Sequence, residues 1–399
     1  MITSIDQLAI FGGPPVFENK YHVGRPNIGN RETILKHFNQ ILDNRWFTNN
    51  GPYVQEFERK IAGMTGVNHC IVMCNGTIAL EIAVRALDLK GEVIIPSNTF
   101  VATAHSIQWQ EITPIFCDID PHTHNIDPGC IEKMITPRTS GIIGVHLWGR
   151  PCDTEALQKI ARDNGLRLLF DAAHAFGCSH RGRMIGGFGD AEIFSFHATK
   201  FFNSYEGGAV LTNDHGLAEK IRLMKNFGFK GYDNVIHIGT NGKMTEVCAA
   251  MGLAGLESLD EFIAVNYRNY KKYRQELSGI PGVTQLAYDE SEKNNYQYIV
   301  AEVDETVAGI GRDTVIRVLH AENILARRYF YPGCHRMEPY RSYFPHTALL
   351  LPNTERVVKR VMSLPTGTAV GPEEIAKIGQ LIRFTVSNGK EIRKRLGES

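Results

Sequence analysis

The chain of 399 residues carries 43 Lys+Arg and 43 Asp+Glu, a formal net charge of zero. Balanced charge without a basic tract offers no hold on nucleic acid or on an anionic membrane surface, and no apolar run is long enough to span a bilayer. With 43% hydrophobic residues the chain can build one large core and a smaller one.

Residues 1–6 lack a basic stretch leading into an apolar core, so no signal peptide is expected. Eight cysteines are scattered without a CxxC pair, which predicts a cytoplasmic protein with reduced thiols. Residues 1–29 read as an N-terminal arm, because Pro14, Pro15 and Pro26 exclude regular helix there. Ile34, Leu35, Phe38, Ile41 and Leu42 then recur at helical spacing, and Val54, Phe57, Ile61 and Met64 mark a second helix.

Short apolar runs at 69–74, 93–96, 112–118, 141–147 and 166–170 follow, separated by helical segments at 78–87, 103–108 and 154–162. Nearly continuous apolar strands alternating with helices predict a mostly parallel sheet covered on both faces. Ligands gather at the carboxyl ends of such strands. One long helix is predicted over 250–277, with Tyr267, Tyr270 and Tyr273 on a packing stripe. Mixed strand and helix segments at 298–303, 313–321 and 326–330 read as a smaller α/β domain. The boundary is placed near Ala264, giving a large domain over 30–264 and a small one over 265–399.

The chemistry centres on 191–210. There an apolar run enters a polar turn ending on Lys200, and Gly207-Gly208 leads into another β-type run. A partly buried lysine loses its proton more readily and can attack a carbonyl; a solvated surface lysine is the alternative. Asp171 closes the strand at 166–170, ahead of the small residues Ala172 and Ala173. A carboxylate there could keep a heteroaromatic nitrogen protonated and make a pyridinium ring an electron sink; a helix N-cap is the other reading. Asp171 with Lys200 one strand later suits pyridoxal phosphate. Gly76-Thr77, at a helix start, offers free N–H groups to a phosphate or acts as a simple cap. Phe100 either lies on the cofactor ring or packs in the core. His122 and His124 with Asp118 and Asp120 lack a second ligand pair of known spacing, so no metal is expected.

Together, Asn75-Gly76-Thr77, Thr99-Phe100, Asp171-Ala172-Ala173-His174, Ser195-Phe196-His197-x-x-Lys200 and Glu206-Gly207-Gly208 resemble the DegT/DnrJ/StrS family of nucleotide-sugar aminotransferases. The resemblance covers nearly the whole chain. It implies the aspartate aminotransferase fold type I, with pyridoxal 5'-phosphate as cofactor. Lys200 would hold the cofactor covalently and move protons, and Asp171 would pair with the pyridine nitrogen. His174 would sit near the phenolic oxygen, where many relatives have Gln, and Phe100 would stack on the ring. Gly76, Thr77 and Ser195 would hold the phosphate, and Asn241 would reach the phosphate of a neighbouring subunit, implying a homodimer with shared active sites. Gly242 and Lys243 depart from the aromatic and arginine that many relatives carry after that asparagine. His197 is expected to be structural.

The segments 22–29, 45–51, 146–150, 294–298 and 331–335 are similar to a subgroup of the family, the dTDP-4-amino-4,6-dideoxy-D-glucose (viosamine-type) transaminases. That similarity implies amination of dTDP-4-keto-6-deoxy-D-glucose at C4 with L-glutamate. Arg25 would meet a pyrophosphate or the glutamate carboxylate, with a surface salt bridge as the alternative. Tyr331 and His335 would line the sugar pocket. The competing readings are a C3 aminotransferase acting on a dTDP-3-keto-6-deoxyhexose and a non-catalytic sensor on the same fold.

Overall fold

A computed structural model describes residues 2–398. Seven strands form the main sheet: β1 (His69–Met73), β2 (Glu92–Pro96), β3 (Thr113–Cys117), β4 (Thr139–Val145), β5 (Arg167–Asp171), β6 (Ala191–Ser195) and β7 (Gly208–Thr212). Their order is β1-β7-β6-β5-β4-β2-β3. All neighbouring pairs are parallel except those of β7, which runs antiparallel to both β1 and β6. The reversal of β7 brings its leading Gly207-Gly208 to the edge where the other strands end.

Helices cover both faces, as the apolar runs require. Helices α1 (Arg31–Asn44) and α2 (Pro52–Thr65) precede the sheet; α3 (Gly76–Ala86) and α4 (Val101–Gln108) follow β1 and β2. Helices α5 (Thr154–Asp163), α6 (His215–Met224) and α7 (Glu246–Glu257) complete the layers. One core packs Val54, Phe57, Ile61, Leu157 and Leu253 against Phe170 and Phe194. The opposite core packs Leu80, Ala83, Ile107 and Ile221 against Ile71, Ile95 and Ile193. Successive residues of one strand thus serve opposite cores, as period-2 geometry demands.

The long helix predicted over 250–277 is two helices. α7 ends at Ser258, whose backbone leaves helical geometry (φ −105, ψ 8), and α8 (Leu259–Leu277) restarts from there. Along α8 the packing changes hands: Leu259 and Phe262 belong to the large core, while Tyr270, Tyr273 and Leu277 enter the second core. Of the tyrosine stripe, Tyr267 stays half exposed and bonds Glu290. The C-terminal sheet is antiparallel, β8 (Val283–Gln285), β9 (Ile299–Val303) and β10 (Val361–Leu364), flanked by α9 (Arg312–Ala321), α10 (Pro352–Arg360) and α11 (Pro372–Ser387).

The N-terminal arm is not a loose extension. Leu8 and Phe17 lie in the C-terminal core, and the Glu322 carboxylate accepts from the N–H groups of Ala9 and Val16, both at 2.8 Å. Tyr21–His22 pairs in parallel with Ile324–Leu325. Asn27 then donates to Phe201 O (2.9 Å) and accepts from Asn203 Nδ2 (3.0 Å), which ties the arm to the turn carrying Lys200. No helix of the described residues is long and apolar enough to cross a membrane.

Candidate active site

The strand ends meet in a cavity of about 440 Å³ lined by Asn75, Gly76, Thr77, Phe100, Asp171, His174, Ser195 and Lys200. Seven of those eight are cofactor contacts expected from the sequence, and they come from four separate segments; the fold supplies the convergence because each segment leaves the sheet at one edge.

The floor at α3 is shaped by glycine. Asn75 caps the helix, its Oδ1 accepting from Ile78 N at 2.8 Å, so the first helical N–H groups stay free for an anion. A Cβ on Gly208 would lie 2.5 Å from the Asn75 carbonyl carbon, and one on Gly76 would lie 3.1 Å from Ser195 Cβ. Both glycines permit β7, β6 and the α3 N-terminus to crowd together.

Asp171 ends β5 and is buried. Its Oδ2 accepts from the Thr103 hydroxyl of α4 at 2.7 Å, and its Oδ1 from Ala173 N at 3.1 Å. Burial raises its pKa, opposed by those two hydrogen bonds and by the charges of Lys200 and His146. Lys200 stands across the cavity, its backbone N–H fixed to His197 O at 2.8 Å. Burial lowers its pKa to about 8, against the opposing pull of Asp171. At neutral pH the lysine therefore has a far larger neutral fraction than a surface lysine.

His174 is buried, and burial depresses its pKa well below the ordinary value, with Lys200 adding to the effect. Trp148 N–H donates to its Nδ1 at 3.2 Å, which leaves the single ring proton of the neutral imidazole on Nε2, 3.2 Å from the Tyr298 hydroxyl. Trp148 itself sits at φ +64, a costly conformation for a bulky residue. Tyr288 Oη donates to its carbonyl at 2.9 Å, its Nε1 donates to His124 Nδ1 at 3.4 Å, and its ring stacks on Phe330 at 5.5 Å. His124 in turn contacts Glu302 Oε1 through Nε2 at 2.9 Å. The histidine of the 122–124 segment thus joins a chain that fixes His174.

The other expected site residues divide. Phe100 is 56% exposed at the cavity mouth, 6.1 Å from the Phe330 ring. His197 lies on the rim, its Nδ1 2.8 Å from Thr199 Oγ1 and its Nε2 3.4 Å from Glu206. Arg25 is exposed on the arm and does not line the cavity, although a Cβ on the adjacent Gly24 would meet Thr199 O at 2.9 Å. Asn241 is exposed, bridges to Asn226, and is outside the cavity of its own chain. Two residues differ from expectation. His335 is sealed off, its Nδ1 2.6 Å from Ser97 Oγ and its Nε2 2.7 Å from Glu355, so it braces the C-terminal segment and does not face the sugar pocket. Tyr331 does not line the main cavity but a neighbouring one, which shares Phe330 with it. The sequence assigns no individual role to Thr103, Trp148, Tyr298, Tyr329 or Phe330, because no local pattern marks a residue whose partner comes from a distant segment.

A model of the DegT/DnrJ/EryC1/StrS aminotransferase family matches residues 29–383. The chain belongs to this family. It is 39% identical to a dTDP-4-amino-4,6-dideoxy-D-glucose transaminase of Shigella dysenteriae, covering 94% of this chain and 100% of the relative. A transaminase of the same name from Escherichia coli is 37% identical over 90% of this chain and 97% of its own. The structure of DesI, in the presence of its TDP-sugar product, superposes with a TM-score of 0.95 at 48% identity, covering 99% and 100% of the two chains. The aminotransferase is pyridoxal 5'-phosphate-dependent, and the donor set fits that cofactor: a desolvated lysine, a buried carboxylate across the cavity and side-chain-free backbone at a helix start.

Proposed function

We propose that the enzyme transfers the amino group of L-glutamate to C4 of dTDP-4-keto-6-deoxy-D-glucose, giving dTDP-4-amino-4,6-dideoxy-D-glucose and 2-oxoglutarate. The observation that carries this reading is the end-to-end likeness to transaminases of that name, joined to a cavity that keeps both Lys200 and Asp171. When bound, the cofactor supplies an electron sink for the carbon that loses or gains a proton.

The chain's own residues do the rest. Lys200 Nζ, with its lowered pKa, holds the cofactor and then moves the proton at the reacting carbon. Asp171, oriented by Thr103 and Ala173, holds the proton on the ring nitrogen. His174 presents its Nε2 proton on the side it shares with Tyr298, where the phenolic oxygen would lie. Phe100 covers the ring, and Gly76, Thr77 and Ser195 hold the phosphate. Phe330 and Trp148, stacked behind His174, keep water from that wall.

A homodimer with shared sites completes the reading. Asn241 is exposed and outside its own cavity, as a residue serving the phosphate of a second copy would be. Beside α1, Ile28, Leu35, Leu42, Trp46 and Phe47 form an exposed apolar band suited to a second copy. The handover of packing along α8 supports domains at 30–264 and 265–399, with the arm docked on the smaller one. Incubation with the 4-keto nucleotide sugar and glutamate, followed by proton NMR, tests the reaction; an amine at C3 in the product refutes the assignment.

A further inference from the structure

Strand β9 and the residue leading into it serve two surroundings. Ile299, Ala301 and Val303 enter the C-terminal core, while Tyr298 and Val300 pack with Leu147, Trp148 and Phe330. Glu302 shares the face of Tyr298 and Val300, because side chains alternate along a strand. Both polar residues of that face contact a histidine of the large sheet's loops: Glu302 meets His124, and Tyr298 meets His174.

Trp148 joins the two histidines, and the donors fix the direction of every bond. An indole N–H can only donate, so Trp148 Nε1 makes His124 Nδ1 an acceptor at 3.4 Å. The ring proton of His124 then sits on Nε2 and goes to Glu302 Oε1 at 2.9 Å. The backbone N–H of Trp148 makes His174 Nδ1 an acceptor at 3.2 Å, and the neutral His174 ring turns its Nε2 proton to Tyr298 Oη, also at 3.2 Å. His124 and Trp148 both hold φ +64, and strain of that kind persists only where the surroundings over-determine it. The Tyr298 hydroxyl lines the main cavity and has no other hydrogen-bond partner among the described residues. Burial raises its pKa, with Tyr329 adding to the rise and Gln297 opposing it, so the hydroxyl stays protonated. As it accepts from His174, its own proton is left for the cavity.

Resting on the placement of the cofactor's phenolic oxygen beside His174, we propose that the Tyr298 hydroxyl donates to that oxygen, and that Glu302, through His124 and Trp148, holds His174 in the tautomer that aims it. Tyr298 is then a catalytic residue, and Glu302, His124 and Trp148 are positioning residues. One strand of the C-terminal sheet thus anchors both ends of the circuit.

The test is a pH titration of the visible absorbance of the cofactor-loaded enzyme without substrate. A hydrogen bond donated to the phenolic oxygen stabilises the deprotonated chromophore, which carries more negative charge there, so losing the donor raises the pKa of the band. Tyr298→Phe keeps the ring and should raise it by about one unit, the worth of one hydrogen bond. Glu302→Leu should raise it by less, and Glu302→Gln, which restores an acceptor for His124, should return it toward the native value. These variants leave in place the other ionisable groups lining the cavity, Asp171, His174, His197, Lys200, Glu206 and Tyr329. Nitrogen NMR of histidine-labelled protein should show the Nε2–H tautomer of His174 in the native enzyme and a mixture in Glu302→Leu. An unmoved titration in Tyr298→Phe overturns the proposal, and so does a Glu302→Leu protein that keeps both the native titration and the single tautomer. His174→Ala separates the proposal from its premise. A shift there with none in Tyr298→Phe gives the phenolic oxygen to the imidazole directly, and no shift in either variant places that oxygen elsewhere.

Discussion

Two lysines in this enzyme share a low exposure to water and differ in everything that follows. Lys225, at the end of α6, donates to Glu58 Oε1 at 3.0 Å and to Val72 O at 3.1 Å. Glu58 also accepts from Val72 N at 3.0 Å and from Arg222 Nη1 at 2.7 Å, so α2, β1 and α6 are stitched through one carboxylate. Lys200 faces a cavity, with Asp171 across it engaged by Thr103 and Ala173. A buried ammonium held by a carboxylate and a carbonyl is a structural cross-link. One left facing a cavity loses its hold on the proton, because desolvation is not repaid by partners. Reactivity here comes from what the fold withholds.

Substitutions should separate these two roles. The largest effect is expected from Lys200→Ala, which removes the group that holds the cofactor: turnover should fall by at least about a thousandfold, and the visible absorbance of the loaded protein should vanish, with little change in the melting temperature of the cofactor-free chain. Asp171→Asn comes next, lowering kcat roughly a hundredfold or more because a neutral amide no longer keeps the ring nitrogen protonated. Glu58→Ala is the converse case. It strands Lys225 and Arg222, and should cost about 3 kcal/mol or more of stability in denaturant titration. Its effect on kcat per folded molecule should be small, and a Glu58→Ala protein that melts normally would break the comparison.

Gly208→Ala should lower cofactor affinity and cost about 1–3 kcal/mol, since its methyl group collides with the Asn75 carbonyl carbon and moves the α3 N-terminus. The mildest test is pH. Lys200 has a folded pKa near 8, below the 10.5 of a free lysine. Between those values the unfolded chain binds more protons than the folded one, so this residue makes stability rise with pH across that window. Its capture of added cofactor by the cofactor-free chain should climb to about pH 8 and then level off. Stopped-flow absorbance that keeps rising past pH 10 would place Lys200 in an ordinary solvated setting.

Much of this was legible in the chain itself. Strand ends at Asp171 and Ser195, the helix start at Gly76 and the turn at Lys200 all sit in short contiguous patterns, where local periodicity and turn chemistry speak directly. The break at Ser258 was hidden, because α7 and α8 present apolar residues without a Gly or Pro at the junction. Sequence alone also could not rank Tyr331 and His335, which lie four residues apart and end in different environments.

What the sequence determined by itself was the alternation of apolar strands and helices, and with it the edge at which chemistry would gather. Tertiary structure decided which residues crowd that edge. Thr103 reaches Asp171 across 68 positions and Tyr298 reaches His174 across 124. It also decided which buried lysine keeps a free face. Those outcomes depend on desolvation and on partners contributed by distant segments, quantities that exist only once the two cores have closed around the sheet.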